Sequence, residues 1–483
     1  MKKSRALCLT IVALLWIASC QVQEHTAPNP ANERQWLAGD HHIHSRYSVG
    51  WNPETDPPSP IIGGDAIYPT PMNAVMASHH GLSWMVTTDH GGPHHSKVNL
   101  SQAWPELQVS RQEVPDVIQF YGMELNTPGA DHSSLIIAHS DDEAQQLFQL
   151  ESRFDKHEPW PADPGRDNED LMIEALQYME GLSPEPVVIA NHPSRSATGE
   201  GAWGLYDPAE FRRWNDTAPN IAIGMAGAPG HQAAALKPDG SLREQAPRGA
   251  YRGYPTLGGF DQMTAQLGGF WDSMLGEGRR WWITANSDSH INWAEGGYDF
   301  WPGEYSKTYV FAQKNHDDIL RGLREGHVFV TTGDLVSAID LTVTDTTGAG
   351  HAAMIGETLE VPAGSSLTIT IRFLDPGTPN FHGDNPRVNR IDLIGGLVSG
   401  KVSNPAAQKN DTTRVIKRFD RDDFRQAGDY LTLSYTLENV TRDRYLRVRG
   451  TNTNEAEPEP DPLGENPWND LWFYSNPVFI RID

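Results

Sequence analysis

From about Trp36 to Asp334 short apolar runs alternate with amphipathic stretches, which is the pattern of β/α units. Residues 82–88, 117–121, 133–138, 187–190 and 281–285 read as strands. Helices are expected from Thr70-Pro71 to the stop at Gly81, over 170–179, from the Asp207-Pro208 cap to about Trp214, and over 316–325 with Gly326 at the end. After about Val336 the apolar period changes to two. Runs beginning at Leu341, Leu367, Ile391, Tyr430 and Tyr445 alternate apolar and polar residues between Gly/Pro/Asn turns, the pattern of a β-sandwich. The stretch 455–465 (EAEPEPDPLGE) is acidic and proline-rich and reads as a solvated loop, without the regular carboxylate spacing of an EF-hand.

The first residues carry a different signal. Lys2, Lys3 and Arg5 precede a short apolar run from Leu7 to Ile17, and Ala18-Ser19 lead into Cys20. This resembles a bacterial lipoprotein signal over 1–19, with cleavage before Cys20 and acylation of its thiol. The run is shorter than the roughly 20 residues of a membrane span. Residues 20–35 are polar and proline-containing, as suits a tether. Gln21 follows the cysteine where inner-membrane lipoproteins usually carry Asp, so the expected place is the periplasmic face of the outer membrane or the cell surface. The chain has two cysteines, and Cys8 leaves with the signal, so no internal disulfide is available.

Composition narrows the function. At 483 residues two domains are the natural division, over 36–335 and 336–483. Hydrophobic residues make up 38%, with 15 Trp, 15 Phe and 14 Tyr, ample for packed cores. A formal charge of −25 argues against nucleic acid as a partner, whose binders present a basic face. There is no G-x-S-x-G elbow and no phosphate-binding G-x-x-x-x-G-K-[ST] loop, and the one cysteine left after processing is at the anchor.

What remains is a row of metal-ligand residue types: His42-x-His44, Asp89-His90, Glu124, His132, His192 and Asp288-x-His290. Each falls where an apolar strand gives way to a polar loop, and the i, i+2 pairs place both side chains on one face of a strand. Imidazole and carboxylate suit zinc, manganese and iron alike, and the row reads as a multinuclear site for divalent ions.

The segments GDHHIHS, TTDHGG, GMELN, DHSSL, ANHPSR and NSDSH, in that order, resemble the polymerase-and-histidinol-phosphatase (PHP) superfamily over roughly residues 36–335. GLREGHVFVTTGD and the closing WFYSNPVFIRID resemble its exported branch with a C-terminal β-sandwich, which includes carbaryl-hydrolase-like members. The resemblance implies a distorted (β/α)7 TIM-like barrel with metals at the C-terminal ends of its strands. It implies that His42, His44, Glu124 and Asp288 hold a first metal. Glu124 would bridge to a second metal held by His132 and His192, and His90 and His290 would hold a third. A metal-bridging hydroxide would then attack the phosphorus of a small-molecule phosphoester.

One departure stands out. Where the family carries an aspartate after H-x-H, this chain has Val49, so the third site would be weak or completed by Glu54 or Asp56 of the following loop. That shifts weight toward less charged substrates, an aryl ester or carbamate. A non-catalytic metal- or glycan-binding lipoprotein is the alternative of another class. Asp89 reads as an acceptor that orients a histidine or water, or as a cap on the next loop. Arg195 reads as a phosphoryl-oxygen ligand or a surface ion pair. The catalytic candidates are therefore Glu124, Asp288, Asp89 and Arg195. His94 and His95 read as solvated loop residues, His41 as facing away from the metals, and His231 as having no partner motif. Trp293 and Trp301 read as loop packing, with an aromatic pocket wall as the alternative.

Overall fold

The computed structural model describes residues 33–346 and 350–483. The expected signal peptide, Cys20 and the tether through residue 32 lie outside the described residues. Seven strands form the first sheet region: β1 (Gln35–Ile43), β2 (Trp84–His90), β3 (Ile118–Asn126), β4 (His132–Ile136), β5 (Val187–Ala190), β6 (Ala222–Ala228) and β7 (Trp282–Ala285). They neighbour one another in chain order. Most pairs are parallel, but β4 runs antiparallel to both β3 and β5, because only the short 127–131 loop separates it from β3. The result is a mixed α/β sheet with a parallel core.

Its two ends meet. Ile43 forms a parallel bridge with Ser289, and Asp288 N–H donates to His42 O and His44 N–H to Ser289 O, both at 3.0 Å. The first half of β1 pairs instead with β8 (Ser306–Ala312), which pairs in turn with β9 (Val328–Thr332). Gly39 is required on β1: a Cβ there would lie 1.9 Å from the Trp84 ring, whose indole covers the strand and donates to Leu37 O.

The helices follow the capping chemistry. α1 (Thr70–His79) opens at Pro69 rather than at the expected Thr70 cap, because Glu106 takes the Thr70 N–H at 2.8 Å. α2 (Trp104–Glu113), α3 (Glu143–Phe154) and α4 (Glu169–Glu180) follow it in the chain. Asp207 caps α5 (Pro208–Thr217) by accepting from Ala209 and Glu210 N–H. Then come α6 (Phe270–Gly276) and α7 (His316–Glu325), the latter ended by left-handed Gly326. No helix among the described residues is long and apolar enough to cross a membrane.

The C-terminal region is mostly antiparallel, although Thr358–Val361 pairs in parallel with Val478–Ile482. β10 (Ala338–Asp345) and β13 (Tyr430–Val440) flank β11 (Ser365–Leu374) in one sheet. In the other, β12 (Arg390–Leu397) pairs with β14 (Arg444–Thr451), which pairs in turn with β15 (Trp472–Ser475) and β16 (Val478–Ile482). Alternate residues of the two sheets share one hydrophobic cluster, for example Leu341, Ile369, Leu393 and Val448. The second sheet is continuous with the first sheet region, because β15 pairs with β9. The polar face of β14 is covered. Arg447 and Arg449 are both 0% exposed, and Arg447 reaches Asp272 of α6 through two hydrogen bonds of 2.9 and 2.8 Å.

Candidate metal centre

All eight residues expected as ligands converge at the end of the first sheet region where β1 meets the 286–290 loop. Asp40 fastens that junction, accepting from His42 N–H and Ser287 N–H at 3.0 Å each. Burial pushes its carboxyl up to about 7. His42 and His44 thereby face Asp288 Oδ1, at 3.2 and 3.1 Å. Glu124 lies within β3 rather than after it, and both its oxygens are in use. His42, His132 and His192 approach Oε1 at 3.1, 3.3 and 3.2 Å, while His90 and His44 approach Oε2 at 3.0 and 3.5 Å. Asn191 Nδ2 donates to Oε1 at 2.9 Å and fixes the rotamer. His290 Nδ1 lies 3.7 Å from Asp288 Oδ1.

The donor set fits divalent cations. His42 Nε2 and His44 Nε2 are 3.0 Å apart, too close for each to hold a proton toward the other, so at least one presents a lone pair. Ligand atoms of His42, His44, Glu124 and Asp288 all lie within 4.8 Å of one another, as do those of His90, Glu124 and His132, and those of His44, Asp65, His90 and His290. These are nitrogen and oxygen donors on the scale of metal sites, with Glu124 shared between groups.

Electrostatics point the same way. Burial alone would raise the Glu124 carboxyl, but the imidazoles of His42, His132 and His90 outweigh it and hold it well below the usual range. Asp288 is likewise raised by burial and carried well below its ordinary value by His231 and His42. Both carboxylates are held ionised in a dry site, where cations would be the natural counter-charge.

Several residues of the site were not foreseen. His231 was expected to have no partner, yet its Nε2 lies 3.0 Å from Asp288 Oδ2 and its Nδ1 2.5 Å from Asp299 Oδ1. It follows β6, an apolar run ending in Pro229-Gly230-His231, so the strand-then-histidine pattern was present there too. Gly230 is obligatory, since a Cβ would meet the Asp288 Cβ at 2.0 Å. Asp299 also accepts from His290 N–H at 2.8 Å. Asp65, rather than Glu54 or Asp56, supplies the carboxylate beside His290 and His90, at 3.4 and 3.9 Å. Asp56 instead accepts from Trp160 Nε1, and Glu54 is exposed. Asp131 stands 3.5 Å from His192 Nδ1. Three residues of the cluster, His192, His231 and Asp288, hold left-handed backbone at φ 31°, 55° and 51°, a cost typical of functional positions.

The remaining candidates take supporting places. Asp89 does not reach the cluster; it accepts from Ser45 N–H and Oγ at 2.6 and 2.8 Å and so holds the turn after His44. Ser48 Oγ hydrogen-bonds His44 Nδ1 at 2.7 Å and accepts from His90 N–H at 2.8 Å. Arg195 lies 3.5 Å from Asp131, at the edge of the cluster. His41 faces Ser134 and Thr284. His95, expected in solvent, is buried between Glu151 and Tyr47 O. Trp293 donates to Glu304 and Trp301 packs on Tyr68, so both serve loop packing.

No family model matches the chain, and no curated protein does. Among solved structures it is similar to endonuclease Q in complex with a 27-mer duplex carrying an abasic lesion, at 12% identity and a TM-score of 0.30. The alignment covers 61% of this chain and 56% of that one, so the chain spans little more than half of its length. A likeness of that degree carries no functional weight, and the function is read from the site itself.

Proposed function

We propose that this chain is a metal-dependent hydrolase of phosphoesters, of the PHP type, which works outside the cytoplasm on a lipid anchor at Cys20. One observation carries the reading: Glu124 presents one oxygen to His42, His132 and His192 and the other to His44 and His90. A carboxylate ringed by five imidazoles is placed to serve neighbouring cations as a shared ligand. Bound there, the ions would supply Lewis acidity, lowering the pKa of water and offsetting charge on the phosphoryl oxygens.

The protein's own residues do the rest. His42, His44 and Asp288 would hold one ion, His132 and His192 a second through Glu124. His90, His290 and Asp65 would hold a third. Asp40, Asp89, Asn191 and Ser48 position these side chains, and Arg195 sits where its guanidinium can meet an anionic substrate at the edge of the cluster. Asp65 also bears on substrate class. Val49 favoured less charged esters only if the third site lacked a carboxylate, and Asp65 provides one beside His90 and His290.

The test is metal analysis of the purified chain, paired with hydrolysis of mono- and bis-nitrophenyl phosphate and of a naphthyl carbamate, with and without chelator. Chelator-sensitive phosphoester cleavage that Glu124→Gln abolishes is the expected result. Carbamate turnover without phosphoester turnover would transfer the site to the other bond. Fractionation of a Cys20→Ala variant tests the anchor: it should leave the membrane fraction, and a wild-type protein found in the cytosol would end that part of the reading.

A further inference from the structure

A cavity of about 840 Å³ opens beside the metal centre, and His231 belongs to both. Its imidazole lines the cavity while Nε2 lies 3.0 Å from Asp288 Oδ2. That volume is in the range of small-molecule sites. Two further features of its wall bear on what enters it.

The first is apolar. Tyr298 and Leu463, at 57% and 56% exposed, are the most exposed large hydrophobic side chains among the described residues, and both line this one cavity. Together they give the opening an apolar wall. The second is charge. Lys237, Arg243 and Arg252 line the cavity against one carboxylate, Glu244, in a chain whose net charge is −25. Arg243 is engaged, donating to Ala234 O and Gly297 O and lying over the Tyr298 ring. The exposed side chains of Lys237 and Arg252 place positive charge at the opening, Lys237 with Asp239 also in its field.

The wall is also preformed. Leu463 comes from the acidic C-terminal loop, and that loop is fastened to the barrel segment at several points. Gly464 N–H donates to Ala246 O at 2.9 Å, Asp461 N–H to Thr256 O at 2.8 Å, and Gly258 N–H to Glu459 O at 3.1 Å. Arg248, 2% exposed, donates to Glu465 at 3.3 Å. Ordering is thus largely complete before a ligand arrives.

We propose that this cavity receives the leaving group, and that the leaving group is a flat apolar body, such as an aromatic ring system, carrying an anionic substituent. Tyr298 and Leu463 hold the ring, Lys237 and Arg252 meet the anion, and His231 joins the cavity to the reacting centre. The C-terminal region is then part of the substrate site. This inference rests on the hydrolase reading for the word leaving group, and on the cavity alone for the ligand class.

The test is fluorescence titration of the full chain with 6-hydroxynaphthalene-2-sulfonate and with neutral 2-naphthol, neither of which has an ester to cleave. Wild type should bind the sulfonate at least tenfold more tightly. A Lys237→Ala/Arg252→Ala double variant should lose that preference, and Leu463→Asp should weaken both probes about tenfold, with unchanged melting temperatures. Equal binding of the two probes, or indifference to all three substitutions, overturns the assignment. A protein that cleaves nitrophenyl phosphate but binds both naphthols alike refutes the cavity assignment alone. One that shows the charge preference and the Leu463 dependence but cleaves no ester supports the ligand class and refutes the hydrolase reading.

Discussion

Asp65 Oδ2 lies 3.4 Å from His290 Nε2 and 3.9 Å from His90 Nε2. Asp65 is partly exposed and its carboxyl is affected first by burial, which raises it. Its hydrogen bond to His290, together with the charges of His290 and His44, carries it below the usual value instead. A carboxylate thus stands beside both His90 and His290.

Asp65→Asn should therefore remove about one metal equivalent while leaving the ions at Glu124 in place. Loss of a ligand or its close partner typically costs 10–100-fold in metal affinity or activity. Elemental analysis of the variant decides the matter, and a metal content equal to wild type would show that Asp65 is a bystander.

His231 gives a second prediction. It fixes Asp288 Oδ2 at 3.0 Å and is itself fixed by Asp299. His231→Asn should weaken ion binding at Asp288 by roughly 10–100-fold. Competition against a chelator of known affinity measures this, and unaltered retention would mean that Asp288 is oriented by His42 and His44 alone.

How much of this was legible depended on whether a residue announced itself by spacing. His42-x-His44 and Asp288-x-His290 were readable because a two-residue period on extended chain puts side chains together, and Glu124 and His192 because apolar strands lead to them. Asp65, Asp131, Asp299 and His231 were not, since each is a single residue brought in by a loop whose path depends on tertiary contacts. His231 carried a usable signal in the apolar run before it; Asp65 carried none. The alternation in Arg444–Thr451 correctly gave a strand, but not that its polar face is covered by α6, because period two reports two faces and not what packs on each. His95 was misjudged for a similar reason: a histidine after a Gly-Gly-Pro turn looks solvated until Glu151 of a distant helix is placed on it.

That histidine yields a pH prediction away from the metals. His95 Nδ1 faces Glu151 Oε1 at 2.7 Å and Nε2 faces Tyr47 O at 2.7 Å, so both nitrogens meet acceptors and the ring is doubly protonated. Burial opposes the charge, but Glu151 and Tyr47 O overcome it and raise the pKa to about 9. A folded pKa above the unfolded value of about 6.5 means that the stabilisation is whole below pH 6.5 and is lost as pH climbs through about 9. It amounts to roughly 3 kcal/mol. Urea unfolding of wild type and His95→Gln from pH 6 to 9.5 should show wild type losing stability faster, and parallel curves would refute the assignment.

The ion pair between Arg447 and Asp272 tests whether the two regions fold as one. Arg447 lies on β14 and Asp272 on α6, both are almost fully buried, and the guanidinium also covers Trp271 at 4.7 Å. Tyr445 donates a further hydrogen bond to the same carboxylate at 3.0 Å. Two charges so placed repay their desolvation only together, and removing one leaves the other buried and unpaired at a cost of about 3–5 kcal/mol. Asp272→Ala should therefore destabilise by that amount, and Asp272→Leu combined with Arg447→Met should recover most of it. The contact spans the junction at which β15 pairs with β9, so the loss should appear in a single unfolding transition for the whole chain. Two separate transitions, with only one moved by Asp272→Ala, would show that the continuous sheet does not couple the regions energetically.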